Sequence, residues 1–116
     1  MELDTIRELF RKQLFVENLS KAFNESDGHS IEKLEYDIFY VDDIQYEYLV
    51  VTYTGGAIAV RNCYGNSLSA IFDEIARLFN GGYYEEVFNY RVLKKKSVSL
   101  REKFTELVAN KSYTMM

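Results

Sequence analysis

Residues 45–62 read QYEYLVVTYTGGAIAVRN, and the fold turns on this stretch. Its first ten residues are rich in β-branched and aromatic types, which suit a pleated, half-buried surface and predict a buried strand over 45–54. Gly55-Gly56 supplies the positive φ angles of a tight hairpin, so Ala57–Cys63 returns as a neighbouring strand. Working back towards the N-terminus, Leu34, Tyr36, Ile38 and Tyr40 alternate with Glu35, Asp37, Phe39 and Val41. That period of two predicts a strand with one largely apolar face and one mixed face. Asp42-Asp43 makes the turn between it and the strand at 45–54, giving a three-stranded meander. Further back, residues 24–30 collect Asn, Ser, Asp and Gly, the residues turns require. Leu3, Ile6, Leu9, Phe10, Leu14, Leu19, Ala22 and Phe23 recur at helical steps, predicting an amphipathic helix over 3–23, bent or broken near Gln13.

Towards the C-terminus, Tyr64-Gly65-Asn66-Ser67 leads into a helix with Leu68, Ile71, Phe72, Ile75, Leu78 and Phe79 on one face. Asn66 or Ser67 can cap its start, and Gly81 or Gly82 can end it in the left-handed conformation. Residues 83–93 (YYEEVFNYRVL) alternate well enough for another strand, with a helical turn around Tyr84–Phe88 as the alternative. Ser99-x-x-Glu102 is a capping box for a last helix carrying Leu100, Phe104, Leu107 and Val108. The order α-βββ-α-β-α predicts a single α+β domain over 1–116 with a mainly antiparallel sheet. Such a sheet either stays open with helices on one face or curls into a partial barrel. No repeat, linker or low-complexity tract divides the 116 residues, a length that supports one core without disulfide or metal staples.

The inventory restricts the chemistry. There is one His (His29) and one Cys (Cys63), so a Ser-His or Cys-His pair would have to use a His set among turn residues. Cys63 ends an apolar strand, where packing as a small hydrophobe is the simpler role. No Cys-x-x-Cys or second imidazole completes a transition-metal site. Asp42-Asp43 with Asp37 or Glu47 offers carboxylates for Mg²⁺, though adjacent aspartates more simply mark a solvated turn. The glycines fit neither the dinucleotide fingerprint nor the Walker pattern. A non-enzymatic protein without cofactor or metal is expected. The acidic first residues do not resemble a secretory signal, no stretch approaches 18 apolar residues, and the lone thiol suits a reducing compartment. The expected location is cytoplasmic, with no membrane partner.

Charge is unevenly distributed. The net is −4, yet residues 1–58 hold 12 acidic and 5 basic residues and residues 59–116 hold 6 acidic and 9 basic. A basic face with interleaved aromatics is therefore available: Arg61, Arg91, Lys94, Lys95, Lys96 and Arg101 for phosphates, and Tyr64, Tyr83, Tyr84, Tyr90 and Tyr113 as stacking platforms. Asn66 and Ser67, at a helix N-terminus, add backbone donors for an anion. RNA or single-stranded nucleic acid is the expected partner. Against this, a run of three lysines more simply forms a solvated loop, and tyrosine is a good strand former. The alternative is a protein-interaction module, pairing two copies or docking a regulator.

The segment EYLVVTYTGGAIAVRN followed by GNSLSAIFDEIARLFNGGYY, within residues 47–84, resembles small proteins of Gram-positive conjugative plasmids and related mobile elements, in particular the PrgU group of enterococcal sex-pheromone plasmids. The resemblance implies a PUA-like fold related to RNA-binding domains and a role in restraining expression of plasmid surface adhesins. It implies no catalytic signature. Arg61, Asn62, Gly65, Asn66 and Ser67 are the polar and turn positions that fall within it.

Overall fold

A computed structural model describes residues 3–24, 31–79 and 87–114. In chain order these form α1 (Leu3–Asn24), β1 (Ile31–Val41), β2 (Ile44–Tyr53), β3 (Ile58–Asn62), α2 (Leu68–Phe79), α3 (Val87–Lys95), β4 (Val98–Ser99) and α4 (Leu100–Thr114). The class is α+β. One antiparallel sheet runs in the order β3-β2-β1-β4.

The meander follows from its turns. Asp42 and Asp43 both adopt positive φ, 52° and 65°, the type I′ geometry whose twist matches the flanking strands. Asp tolerates this region better than most side chains because its short polar group bonds locally. At the second hairpin the Gly56 N–H closes onto the Tyr53 carbonyl at 2.9 Å, with Gly55 and Gly56 at φ 104° and 96°. Both strand pairings keep a regular register except between Ile31 and Lys33. That bulge inserts one residue, so Ile31 and Leu34 are both buried although an unbroken strand would turn them to opposite faces.

Both faces of the sheet are covered. On one, Leu34, Tyr36, Ile38, Tyr40, Leu49, Val51 and Ala59 pack with Ile6, Leu9 and Val16 of α1, Ile71 and Ile75 of α2 and Leu100 of α4. On the other, Phe39, Val41, Tyr48, Val50 and Val60 pack with Val87, Tyr90 and Leu93 of α3. An open sheet with helices on one face was one of the two expected forms; here α3 supplies a second layer because both faces of the sheet centre are apolar and each must leave water. The sheet does not curl into a barrel. Its end strands, β3 and the two-residue β4, sit at opposite edges of the order and do not meet.

Two further expectations are corrected. Helix α1 runs unbroken through Gln13. There the Gln13 amide donates to the Tyr36 carbonyl at 3.3 Å, and one stretch on, Ser20 Oγ accepts from the Leu34 N–H at 2.9 Å. These side chains occupy backbone groups of β1 beyond the reach of short β4, which protects an otherwise open sheet edge. Within 83–93, residues 87–93 are helix, not strand, and the fourth strand is Val98–Ser99. Spacing of i, i+3 and i+6 puts Val87, Tyr90 and Leu93 on one helical face, the form in which all three reach the sheet. Residues 83–86 lie outside the described residues, as do His29, Gly81 and Gly82.

Both expected helix starts form. Ser67 Oγ accepts from the Ala70 N–H at 3.2 Å, capping α2. Ser99 Oγ accepts from the Glu102 N–H at 3.1 Å and donates to Glu102 Oε1 at 3.2 Å, so the chain passes from β4 to α4 with no linker.

Candidate nucleic-acid interface

Helix α3 is nine residues long with no fully buried residue, so what holds it matters. Apart from Val87, Tyr90 and Leu93, its anchor is one carboxylate. Asp37 on β1 accepts from the Tyr90 hydroxyl at 2.7 Å and from Lys94 Nζ at 2.9 Å. Tyr90 and Lys94 are one helical turn apart, so a single aspartate engages both. The Lys94 ammonium also lies 5.1 Å over the Phe39 ring, a favourable approach to its negative face. Burial, then the hydrogen bond and the charge of Asp37, raise the Tyr90 hydroxyl well above its ordinary 10.0. It therefore stays a proton donor across the physiological range.

With that face fixed, the opposite face points to solvent. It carries Phe88, Arg91, Val92 and Lys95, at i, i+3, i+4 and i+7, with Lys96 just beyond. Phe88 is 78% exposed, the highest value among the exposed large apolar side chains of the described residues. Among the described residues no carboxylate lies within ion-pair distance of Arg91, Lys95 or Lys96. Several other cations are held by the chain's own acids: Lys12 by Glu47, Arg61 by Glu74, Lys94 by Asp37 and Lys103 by Asp43. Lys94 and Lys95 also sit where cations offset the helix dipole.

The remaining candidate residues do not join this face. Tyr90 and Lys94, expected on it, turn inward because Asp37 binds both, and Tyr84 lies outside the described residues. Arg61 stands opposite Leu49 in the register, hence on the α1 and α2 side of the sheet. Its Nε approaches Glu74 Oε2 to 3.0 Å, in ion-pair range but outside hydrogen-bond geometry. Tyr64, Asn66 and Ser67 belong to the turn entering α2, where Asn66 N–H donates to the Cys63 carbonyl at 3.0 Å and Gly65 takes φ 77°. Tyr64 is exposed, and Ser67 is engaged as a cap. Arg101 is exposed in the first turn of α4. Tyr83 lies outside the described residues. The expected single face is therefore broken up: among the described residues α3 sets an exposed aromatic ring beside three cations with no carboxylate in ion-pair range, whereas α4 has Arg101 alone in that state.

A buried polar cluster lies on the α1 side. Glu47 is 1% exposed. Its Oε1 accepts from Lys12 Nζ at 3.0 Å and from the Tyr36 hydroxyl at 2.8 Å. Its Oε2 accepts from Gln45 Nε2 at 2.9 Å and faces the Gly65 N–H at 3.4 Å. Burial, then Glu47, raises the Tyr36 hydroxyl well above 10.0 and Tyr40 to about 12. Donors thus surround both carboxylate oxygens, which ties α1, β1, β2 and the Gly65 turn together. Glu47 entered the sequence reading only as a Mg²⁺ ligand. The signal available was a carboxylate in phase with Leu49 and Val51 on a strand face that must be buried. Among the described residues no three His, Cys, Asp or Glu side chains gather as a metal-ion group.

Cys63 is buried, and burial, then the charge of Glu74, raises its thiol from 9.0 to about 11. A raised pKa means the folded state keeps the proton longer. Between about pH 9 and 10 the native thiol stays mostly protonated while an unfolded one is half or more ionised, and at lower pH the native thiolate fraction is the smaller of the two. At pH 8 alkylation by iodoacetamide should run on the order of 100-fold slower in the native chain than in urea, from thiolate fraction alone. Equal rates would remove Cys63 from the core. The same sign makes this thiol withdraw stability as pH rises from about 9 to 11.

A groove of about 840 Å³ runs between α1 and β1, lined by Gln13, Glu17, Lys21, Lys33 and Glu35 among others. Its charges largely pair with each other, Lys21 with Glu17 at 3.8 Å and Lys33 with Glu35 at 3.5 Å. No described helix is long and apolar enough to cross a membrane. No family model, curated protein or solved structure matches the chain.

Proposed function

We propose that the chain is a non-enzymatic regulatory domain that binds nucleic acid through the outward face of α3. The observation that carries this reading is the separation of cations into two groups. Lys12, Arg61, Lys94 and Lys103 face carboxylates of the same chain, whereas Arg91, Lys95 and Lys96 face solvent together on one short element with no ion-pair partner among the described residues, Arg101 standing apart from them on α4. Charges without internal partners are the ones a polyanion can use, since phosphates need not displace an acid to reach them. The regulatory part of the reading rests on the resemblance carried by residues 47–84.

Three phosphate contacts imply weak, salt-sensitive binding, with a slope of log affinity against log salt of roughly −2. Fluorescence anisotropy with a labelled oligonucleotide at 20 and 200 mM salt measures it. Arg91→Glu with Lys95→Glu should lower affinity at low salt at least tenfold and flatten the slope, without changing the helical signal. A wild-type chain that binds no oligonucleotide at low salt would sink the proposal, as would a double variant that binds like wild type.

A second reading, docking of a protein partner, is favoured by α2. Ile71 and Ile75 are buried there, but Leu68 and Phe72 remain 39% and 48% exposed one turn apart. Phe72→Ser should then abolish a self-association seen by sedimentation and leave oligonucleotide binding untouched.

A further inference from the structure

We infer that Phe88 is a stacking platform for an unpaired base, so that the ligand of α3 is single-stranded nucleic acid rather than duplex. This rests on the nucleic-acid reading above and adds the class of nucleic acid.

A phenyl ring held almost wholly in water contributes little to folding. It also cannot turn inward by rotation of the helix. Tyr90 and Lys94 are bound to Asp37, and Val87, Tyr90 and Leu93 pack on the sheet, so rolling Phe88 towards the core would break all of these contacts together. The ring is therefore presented by a fixed scaffold at little conformational cost to a ligand.

Its neighbours supply what a base would bring with it. Four residues of helix rise about 6 Å, so Val92 and Arg91 lie about one turn from Phe88 and Lys95 about two. A strand running along this face meets a ring for one base, an apolar floor at Val92 and cations at Arg91 and Lys95. Aromatic stacking with flanking cations is how single strands are held without sequence readout. In a duplex both faces of each internal base are covered by neighbours, and exposing one costs a few kcal/mol. Three cations are too few to offset that. An anionic lipid surface shares the charge, but Phe88 and Val92 are a small apolar pair for insertion between lipid chains.

The experiment uses the full chain and four labelled ligands of equal length: a ribo-oligonucleotide, the matching deoxyribo-oligonucleotide, an abasic strand with phosphates alone, and a blunt duplex. Wild type should bind both base-bearing strands at least fivefold more tightly than the abasic strand and the duplex. Phe88→Ala should weaken them about 5- to 100-fold with the salt slope retained, and Phe88→Trp should restore binding. The ribo and deoxyribo arms tell which source supplies the unpaired bases. Phe88→Ala binding as wild type, or equal affinity for the abasic strand or duplex, would overturn the inference while leaving charge-driven binding intact. So would binding to phosphatidylserine vesicles that falls with Phe88→Ala while oligonucleotide affinity stays constant. Loss of all oligonucleotide binding in the wild type removes the underlying reading instead.

Discussion

Glu47→Ala lowers the free energy of unfolding by about 3–5 kcal/mol, the effect of removing one partner from a buried ion pair. The Lys12 ammonium, on a side chain only 16% exposed, loses the carboxylate that compensates its desolvation. The Tyr36 hydroxyl and the Gln45 amide lose acceptors at 2.8 and 2.9 Å, and the Gly65 turn loses its side-chain tie to β2, keeping the backbone bond from Cys63 N–H to the residue-47 carbonyl. Against a total stability of about 5–15 kcal/mol for a domain, such a loss threatens folding itself. Replacing both charges, Lys12→Met with Glu47→Leu, should recover most of it. Apolar side chains of similar volume repack such a site, and Tyr36 keeps the Cys63 carbonyl at 3.1 Å as acceptor. Urea denaturation of the three proteins decides the matter. A single-variant loss below 1 kcal/mol would show that the cluster does not tie the elements together.

The second large effect is at Phe39, fully buried on the α3 side. Its ring stacks on Tyr46 and Tyr48 with centroids 5.6 and 5.9 Å away, meets Tyr90 edge-on at 6.1 Å and lies under Lys94. Phe39→Ala should cost about 3–5 kcal/mol, from lost burial and the cavity left behind. The loss should fall unevenly. Since α3 has no fully buried residue of its own, its attachment depends on this ring and on Asp37. Amide exchange in α3 should accelerate more than in α1 or β2. Oligonucleotide binding should weaken too, although Phe39 cannot touch a ligand. Uniform acceleration across the chain would mean that α3 is not an independently opening unit.

The meander was legible because its signals are local. Alternation from Leu34 to Val41, the Asp42-Asp43 and Gly55-Gly56 turns and the capping box at Ser99 each act over a few residues. So does the apolar face of α2. Residues 83–93 misled for the same reason: alternating aromatic and aliphatic residues carry strand propensity, and α3 forms only because a sheet face needs covering while the edge position beside Phe39 and Tyr40 is taken by Val98 and Ser99. The candidate site was legible in composition but not in membership. Lysines and arginines can be counted, whereas the acids that neutralise them stand far away along the chain, 35 residues for Lys12 with Glu47, 57 for Lys94 with Asp37 and 60 for Lys103 with Asp43.

The residues from 45 to 62 by themselves determined a hairpin and an antiparallel pairing, and the helical periods on either side added the α+β class, because period and turn chemistry are properties of neighbours. The one-His, one-Cys inventory likewise restricted the chemistry without reference to any fold. Only the tertiary structure decided which charges are available. Pairing across the sheet joins Lys94 and Lys103 of the basic half to Asp37 and Asp43 of the acidic half. The segregation of charge along the chain is thereby partly cancelled in space, and Arg91, Lys95 and Lys96 are left beside an exposed Phe88. Which side chains meet depends on long-range packing, and no local pattern encodes it.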